Sequence, residues 1–472
     1  MSFTGYPKGL SFAFSRLAGF TKQIDIVYPD RKDDVSANST IKVKFNPNSH
    51  IGLRTVNMYY KLTANRVGLT ATDNYSQNRF APRLSSSIIK DISLFFNSGL
   101  IERVEEYGLL YNTLFDLNCG QDQINKRFLE GSDPSIIVQE TFNANASTIT
   151  LRNTNLTTNA ADFSDTSRQF VINNFMNFLG SSCCEYLSTN LTGDMELQIT
   201  LNPASILWRS GVGANAVAAP TTPNYELDDI YFTYERIVLN DGGLYDEILM
   251  REMSSEKGLE IEFKTYSTHV GALQNRAINF SFNTSASSLN NIICTTRRSD
   301  YNTEGYLLLG AYNVTAATTN FAATLAAGGA NAFNQCTFFQ RDLSSITGSQ
   351  IYINGTAMYK QPLKPYEIFN ETLLSIYGQN DLTHSLHPGL NSLPAFLKYY
   401  FTQILSLNYN KDGSSTLISG LDGKGSTFNI QWVTTNDTGL IAAGQAQVQP
   451  IVFCEKSQVV VIQPGRQIYV KP

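Results

Sequence analysis

The chain has 472 residues, 42% of them hydrophobic and only 16% charged, with a net charge of −5. That balance implies no basic face for a phosphate backbone, and no apolar run approaches the ~18 residues that cross a bilayer as a helix. Its 28 Phe and 24 Tyr favour pleated, half-buried surfaces and argue against disorder.

The length admits two to four domains at roughly 100–200 residues each. Asn, Ser, Thr and Gln supply the polar surface in place of charge. A surface that meets many neighbours has this composition, because interface cores are depleted in Lys, Glu and Asp.

Residues 1–37 read as an N-terminal arm. Lys8, Arg16 and Lys22 precede the first acid, Asp25, with Phe12, Phe14 and Phe20 between them. The opening MSFTGYPKGLSFAFSRLAGFTKQ has no continuous apolar stretch of the secretory kind. Strand signals follow. TIKVKF sets Ile41, Val43 and Phe45 against Lys42 and Lys44, the period of two of a half-buried strand. DISLFFNSGLIERVEEYGLLYNTL, from Asp91 to Leu114, reads as a hairpin turning at Asn97 and then a short helical turn. A long polar loop is expected over 140–168. MELQITL alternates Met195, Leu197, Ile199 and Leu201 inward, and Ile230 to Leu239 reads as a long closing strand.

The clearest helical signal is NDGGLYDEILMREMSSEKG, capped by Asp241 and stopped at Lys257–Gly258. It sits at the midpoint, where a linker between two halves belongs. Strands then resume at LEIEF and AINFSF. A second long loop covers 311–335. GSQIYINGTAMYKQPLKPYEIFNETL, from Gly348 to Leu373, repeats the hairpin and helical turn. Asn354 answers to Asn97, Tyr366 to Tyr107 and Leu373 to Leu114. TFNIQWV and QPIVFCEKSQVVVI close the second half as MELQITL and IYFTYERIVL close the first. The order describes a duplicated β domain: an arm over 1–37, domains over 38–240 and 259–472, and a linker over 241–258.

Catalytic and metal chemistry is not indicated. His384 and His387 read as a polar loop before Pro388, and zinc needs three or four ligands. Asn408, Asn410, Asp412 and Gly413 have the spacing that opens a calcium loop, but Ser419 stands where its last acid belongs. The six cysteines (119, 183, 184, 294, 336 and 454) show no paired spacing and are expected as reduced thiols. No cofactor, no catalytic residue and no sequence-specific nucleic-acid contact is expected.

The chain resembles the double jelly-roll major capsid proteins of the tectivirus–adenovirus lineage, in its polinton-like virus, virophage and adintovirus branches. The resemblance rests on RQFVINNFMNFLGSSCCEYLSTNLTGDMELQITLNPASILW and LDDIYFTYERIVLNDGGLYDEIL in the first half. In the second it rests on IYINGTAMYKQPLKPYEIFNETL and STLISGLDGKGSTFNIQW. It implies an all-β fold of two tandem eight-stranded jelly rolls with a short linker helix and long surface loops. It implies a homotrimer acting as a pseudo-hexameric capsomer in the icosahedral shell of a double-stranded DNA virus. Neighbouring capsomers, penton proteins and minor capsid proteins would be its partners. The two long loops would stand outward. The arm, through Lys8, Phe12, Phe14, Arg16, Phe20 and Lys22, would lie inside against a membrane or the genome. The protein would fold in the host cytoplasm or nucleus and reside in the virion capsid. A jelly-roll carbohydrate-binding or spike protein is the alternative.

Overall fold

A computed structural model describes residues 20–47, 49–65, 78–82, 84–118, 139–142, 149–152, 167–211, 224–239, 258–274, 277–298, 345–377, 400–407, 420–434, 448–463 and 467–471, with positions 251, 339, 341–343, 393, 396, 397 and 400. Two sandwiches account for most of them. Eight principal strands build the first: β1 (Phe20–Val27), β2 (Thr40–Lys44), β3 (Asn57–Asn65), β4 (Ile89–Phe96), β5 (Gly99–Val104), β6 (Ser167–Ile172), β7 (Met195–Leu201) and β8 (Asn224–Leu239). Eight more build the second: β9 (Leu259–Val270), β10 (Ile278–Thr284), β11 (Leu289–Arg298), β12 (Ile346–Ile353), β13 (Thr356–Ala357), β14 (Thr402–Ser406), β15 (Ser426–Thr434) and β16 (Val448–Gln463).

Each sandwich pairs its strands in the same order. One sheet of the first runs β1-β8-β3-β6 and the other β2-β7-β4-β5. In the second they run β9-β16-β11-β14 and β10-β15-β12-β13. Adding eight to each strand number converts one sandwich into the other. All these pairings are antiparallel, and they join strands far apart in sequence. Short strands extend the sheets: Val35–Ser36 lies on β8, and Gln467–Lys471 on β16. His50–Gly52 bridges β8 and Tyr186–Ser188.

Alternation explains which face is buried. Met195, Leu197, Ile199 and Leu201 of β7 are buried, with half-buried Glu196, Gln198 and Thr200 between them. Ile41 and Val43 meet Ile199 and Leu197 across the β2–β7 ladder. In the second sandwich Trp432 is fully buried; its Nε1 donates to Gln403 Oε1 at 2.8 Å and Phe401 stands edge-on to its ring.

The repeated hairpins turn as their asparagines require. Asn97 and Ser98 both have positive φ, as do Asn354 and Gly355, the backbone of a two-residue turn that follows strand twist. Each turn is pinned at the same place. Asn97 N–H donates to Asp194 O at the start of β7, and Asn354 N–H donates to Thr427 O at the start of β15.

Three expectations change. The hairpins lead into full helices, α1 (Tyr107–Asn118) and α2 (Pro365–Tyr377), not short turns. Nearly every side chain of α1 is buried, so it lacks the one-sided period that marks a surface helix. The arm read over 1–37 is also too long. β1 pairs over its whole length with β8, from Phe20 against Leu239 to Val27 against Phe232, so the boundary set at 38 falls inside the first sandwich. Its isoleucines face outward, which removed the usual signal of a strand with a buried face. Third, the loop read over 140–168 carries a ribbon of Gln139–Phe142 on Ile149–Arg152. The linker helix, apart from Arg251, and the loop over 311–335 lie outside the described residues.

Candidate functional site

The best-built site among the described residues is the junction between the sandwiches. On one side stands the edge of β9 that faces away from β16. On the other stand the end of β5, the start of α1 and the connection between β6 and β7. Asn177 caps a single helical turn there, Phe178–Ser181, by accepting from Leu179 N–H at 3.2 Å. That turn places Phe178 between Phe96, 5.4 Å away in its own sandwich, and Phe263 of β9, 5.1 Å away, both edge-on. The chain then runs along β9. Ser181 Oγ donates to Lys264 O at 2.7 Å, and Cys183 N–H donates to Glu262 O at 2.8 Å. Thr268 Oγ1 donates to Glu105 O at 2.7 Å. An edge strand with bare backbone groups is thus capped by the neighbouring sandwich.

Charges lock the same seam. Arg341 and Asp116 pair at 2.8 Å with both side chains fully buried, and Arg297 pairs with Glu106 at 2.7 Å. Glu102 of β5 is buried; its Oε2 accepts from Phe178 N–H at 2.7 Å, and its Oε1 has no hydrogen-bond partner among the described residues. A cavity of ≈ 250 Å³ opens beside it, lined by Leu100, Arg103, Thr265, Ser267 and Lys456 among others. Burial raises the Glu102 carboxyl to about 7, against the smaller opposing pull of the Phe178 N–H. Burial likewise lowers Lys456.

The described residues contain no group of three or more His, Cys, Asp or Glu placed to hold a metal. Cys184 is buried and pushed up to about 12 by desolvation, which makes it a poor nucleophile. His384, His387 and the stretch from Asn408 to Gly413 lie outside the described residues. What this geometry does chemically is hold two sandwiches at a fixed relation.

The residues expected on an inner-face arm are not gathered into one site. Lys22 stands on β1 and pairs with Glu235 at 2.6 Å, and Phe20 begins that strand. Lys8, Phe12, Phe14 and Arg16 lie outside the described residues. Two surfaces missed in the sequence are apolar and open: Ile24 and Ile26 on β1 with Tyr28 just after it, and Met358 just after β13 with Tyr366 in the first turn of α2.

No known protein family and no curated protein matches the sequence. Solved structures do. The chain is similar to VP54 of PBCV-1, as fitted into a reconstruction of the virophage Sputnik, at 11% identity over 97% of this chain and 98% of that one, with a TM-score of 0.57. It is similar to the Faustovirus major capsid protein at 9% identity, over 94% and 91% of the two chains, with a TM-score of 0.54. A chain in the 3.5 Å structure of the Sputnik virophage matches at 12% identity, over 95% and 88%, with a TM-score of 0.54.

The fold is a double jelly roll. Both sandwiches fall within each match, so the likeness covers the pair and not one roll alone. The eight-strand order in each roll is that of a sheet pair folded from Greek keys. The double jelly roll that the resemblance implied is therefore the one observed.

Proposed function

We propose that this double jelly roll is a major capsid protein, a structural and non-catalytic subunit repeated over an icosahedral virus shell. The observation that carries this reading is the whole-chain likeness to VP54, in which both rolls match end to end. The capped and ion-paired junction supports it, because a shell subunit must present its two lobes at a constant angle.

In this reading three chains form a capsomer of six rolls, and capsomers meet one another, penton proteins and minor proteins. The rolls span about 20–239 and 258–471, joined by the helix expected over 241–258. The arm reduces to the residues before β1, where Lys8, Phe12, Phe14 and Arg16 would face an internal membrane or the genome. The segments 140–168 and 311–335 would stand on the outer face.

Sedimentation velocity of the full chain, reduced and treated with chelator, tests the reading. A species of three times the 52.3 kDa chain mass is expected. A monomer at all concentrations contradicts it.

A further inference from the structure

The docking of the two rolls leaves a cavity of ≈ 250 Å³ at their junction. A cavity of about 150 Å³ already takes a benzene ring, so this one has room for a small organic molecule. Two polar groups face it from opposite rolls, and both are left incomplete.

The first is Glu102. A bulge in β5 puts it there: Phe95 pairs with Leu100 but Leu94 pairs with Glu102, so Ile101 is an extra residue. Cross-strand partners share a face and Leu94 is fully buried, so the bulge turns Glu102 inward. Its Oε2 accepts from Phe178 N–H, and Oε1 is the oxygen without a partner among the described residues. The Thr265 hydroxyl favours the charged form from nearby without completing a hydrogen bond. The second group is Lys456. It lies opposite Thr265 on the β9–β16 ladder, so both project from one face into the cavity. Its neighbours Lys264 and Glu455 pair with each other at 3.1 Å, while no salt bridge among the described residues reaches Lys456. Leu100 and Val470 add apolar wall.

We propose that this cavity binds a short aliphatic carboxylate, gripped by Lys456 of the second roll and by the Glu102 carboxyl of the first. One ligand oxygen accepts from the Lys456 ammonium. The other accepts from Glu102 in its protonated form. The proton sits on Oε1, because Oε2 is taken up by Phe178 N–H. The aliphatic tail lies against Leu100 and Val470. A desolvated ammonium and an orphaned buried oxygen are both costly to leave without partners, and one such anion satisfies the two together. The site lies within one chain, so its test is independent of how chains assemble.

Only protonated Glu102 can donate, so binding follows its titration. Burial holds that carboxyl at about 7. Around the cavity, Arg103 pairs with Glu105 at 3.0 Å and Asp91 at 3.7 Å, and Lys471 with Glu260 at 2.7 Å. Burial raises Asp91, Tyr107 and Tyr266, and lowers Lys456 and His269.

Calorimetric titration of the full chain with butyrate, at constant ionic strength in sodium chloride, tests the site at pH 6 and pH 8. The apparent Kd should be about tenfold lower at pH 6, the ratio of protonated fractions on either side of 7. Butyramide, which has the shape without the charge, should bind more weakly. Lys456→Met should lose binding at both pH values while its circular dichroism stays that of the wild type. Glu102→Gln keeps a donor at every pH, so it should bind butyrate with no pH dependence. If Lys456→Met fails to fold, Glu102→Gln carries the test by its pH profile. No butyrate binding at pH 6, or wild-type affinity in Lys456→Met, overturns the site. Butyramide bound as tightly as butyrate overturns the carboxylate, and a Glu102→Gln variant that keeps the wild-type pH ratio overturns the part given to Glu102.

Discussion

Glu102 departs far from ordinary carboxylate behaviour. Its carboxyl sits at about 7 in the folded chain against an ordinary 4.5. The folded state therefore keeps a proton that the unfolded state releases between those values. Stability is full below about pH 4.5 and is lost as pH rises through 7, by roughly 3 kcal/mol at most. Around it stand Lys456, which burial lowers, and Tyr107 and Tyr266, which burial raises. Asp91, also raised by burial, adds in the same direction. Melting of the wild type should fall from pH 5 to pH 8, and Glu102→Gln should flatten that slope. A variant with an unchanged slope rules Glu102 out as its source. At this scale the sequence was legible where local chemistry decides. Asn97 and Asn354 were identified as turns because Asn tolerates positive φ. Glu102 was not, because its burial comes from Phe178 and Thr265, which are distant in sequence.

Elements divide in the same way. β7, β9 and β15 announce themselves by alternation, each with one face in a core. β1 was hidden because its isoleucines face out of the sandwich, so no buried apolar face alternates along it. α1 was read as a turn because it is buried on every side. The connection after β6 was read only as part of the stretch that carries the family resemblance, yet it is the element that docks on β9. Gly180 there explains its own identity: a Cβ on it would stand 1.8 Å from Phe175 O, inside the backbone. Gly420 holds the equivalent connection in the second roll, with a Cβ position 2.1 Å from Leu289 O. Gly180→Ala should therefore cost about 1–3 kcal/mol and lower the melting temperature by several degrees. It should also increase hydrogen exchange at the junction amides, Cys183 N–H, which donates to Glu262 O, and Lys264 N–H, which donates to Ser181 Oγ. Wild-type exchange in a destabilised variant would separate Gly180 from the junction.

At the scale of the whole molecule the question is what makes two rolls one rigid block. The buried Arg341–Asp116 pair joins the rolls at their helical ends. Asp116→Asn leaves a guanidinium buried without its carboxylate, and a loss of about 3–5 kcal/mol is expected. Replacing both partners, as Asp116→Leu with Arg341→Met, should recover most of it, because buried pairs rarely outdo well-packed apolar groups. Calorimetry of the single and double variants checks this, and equal losses in both would assign the cost to packing. The duplication was visible in the sequence because both copies keep the Asn turn and the Tyr that heads the following helix. The junction was not, since its residues are scattered from Glu102 to Arg341. The proposed assembly is a three-chain capsomer of six rolls. Electron microscopy of the purified full chain addresses it most directly. Class averages should show six-lobed particles with three-fold symmetry. Two-lobed single chains under the same conditions would contradict the account.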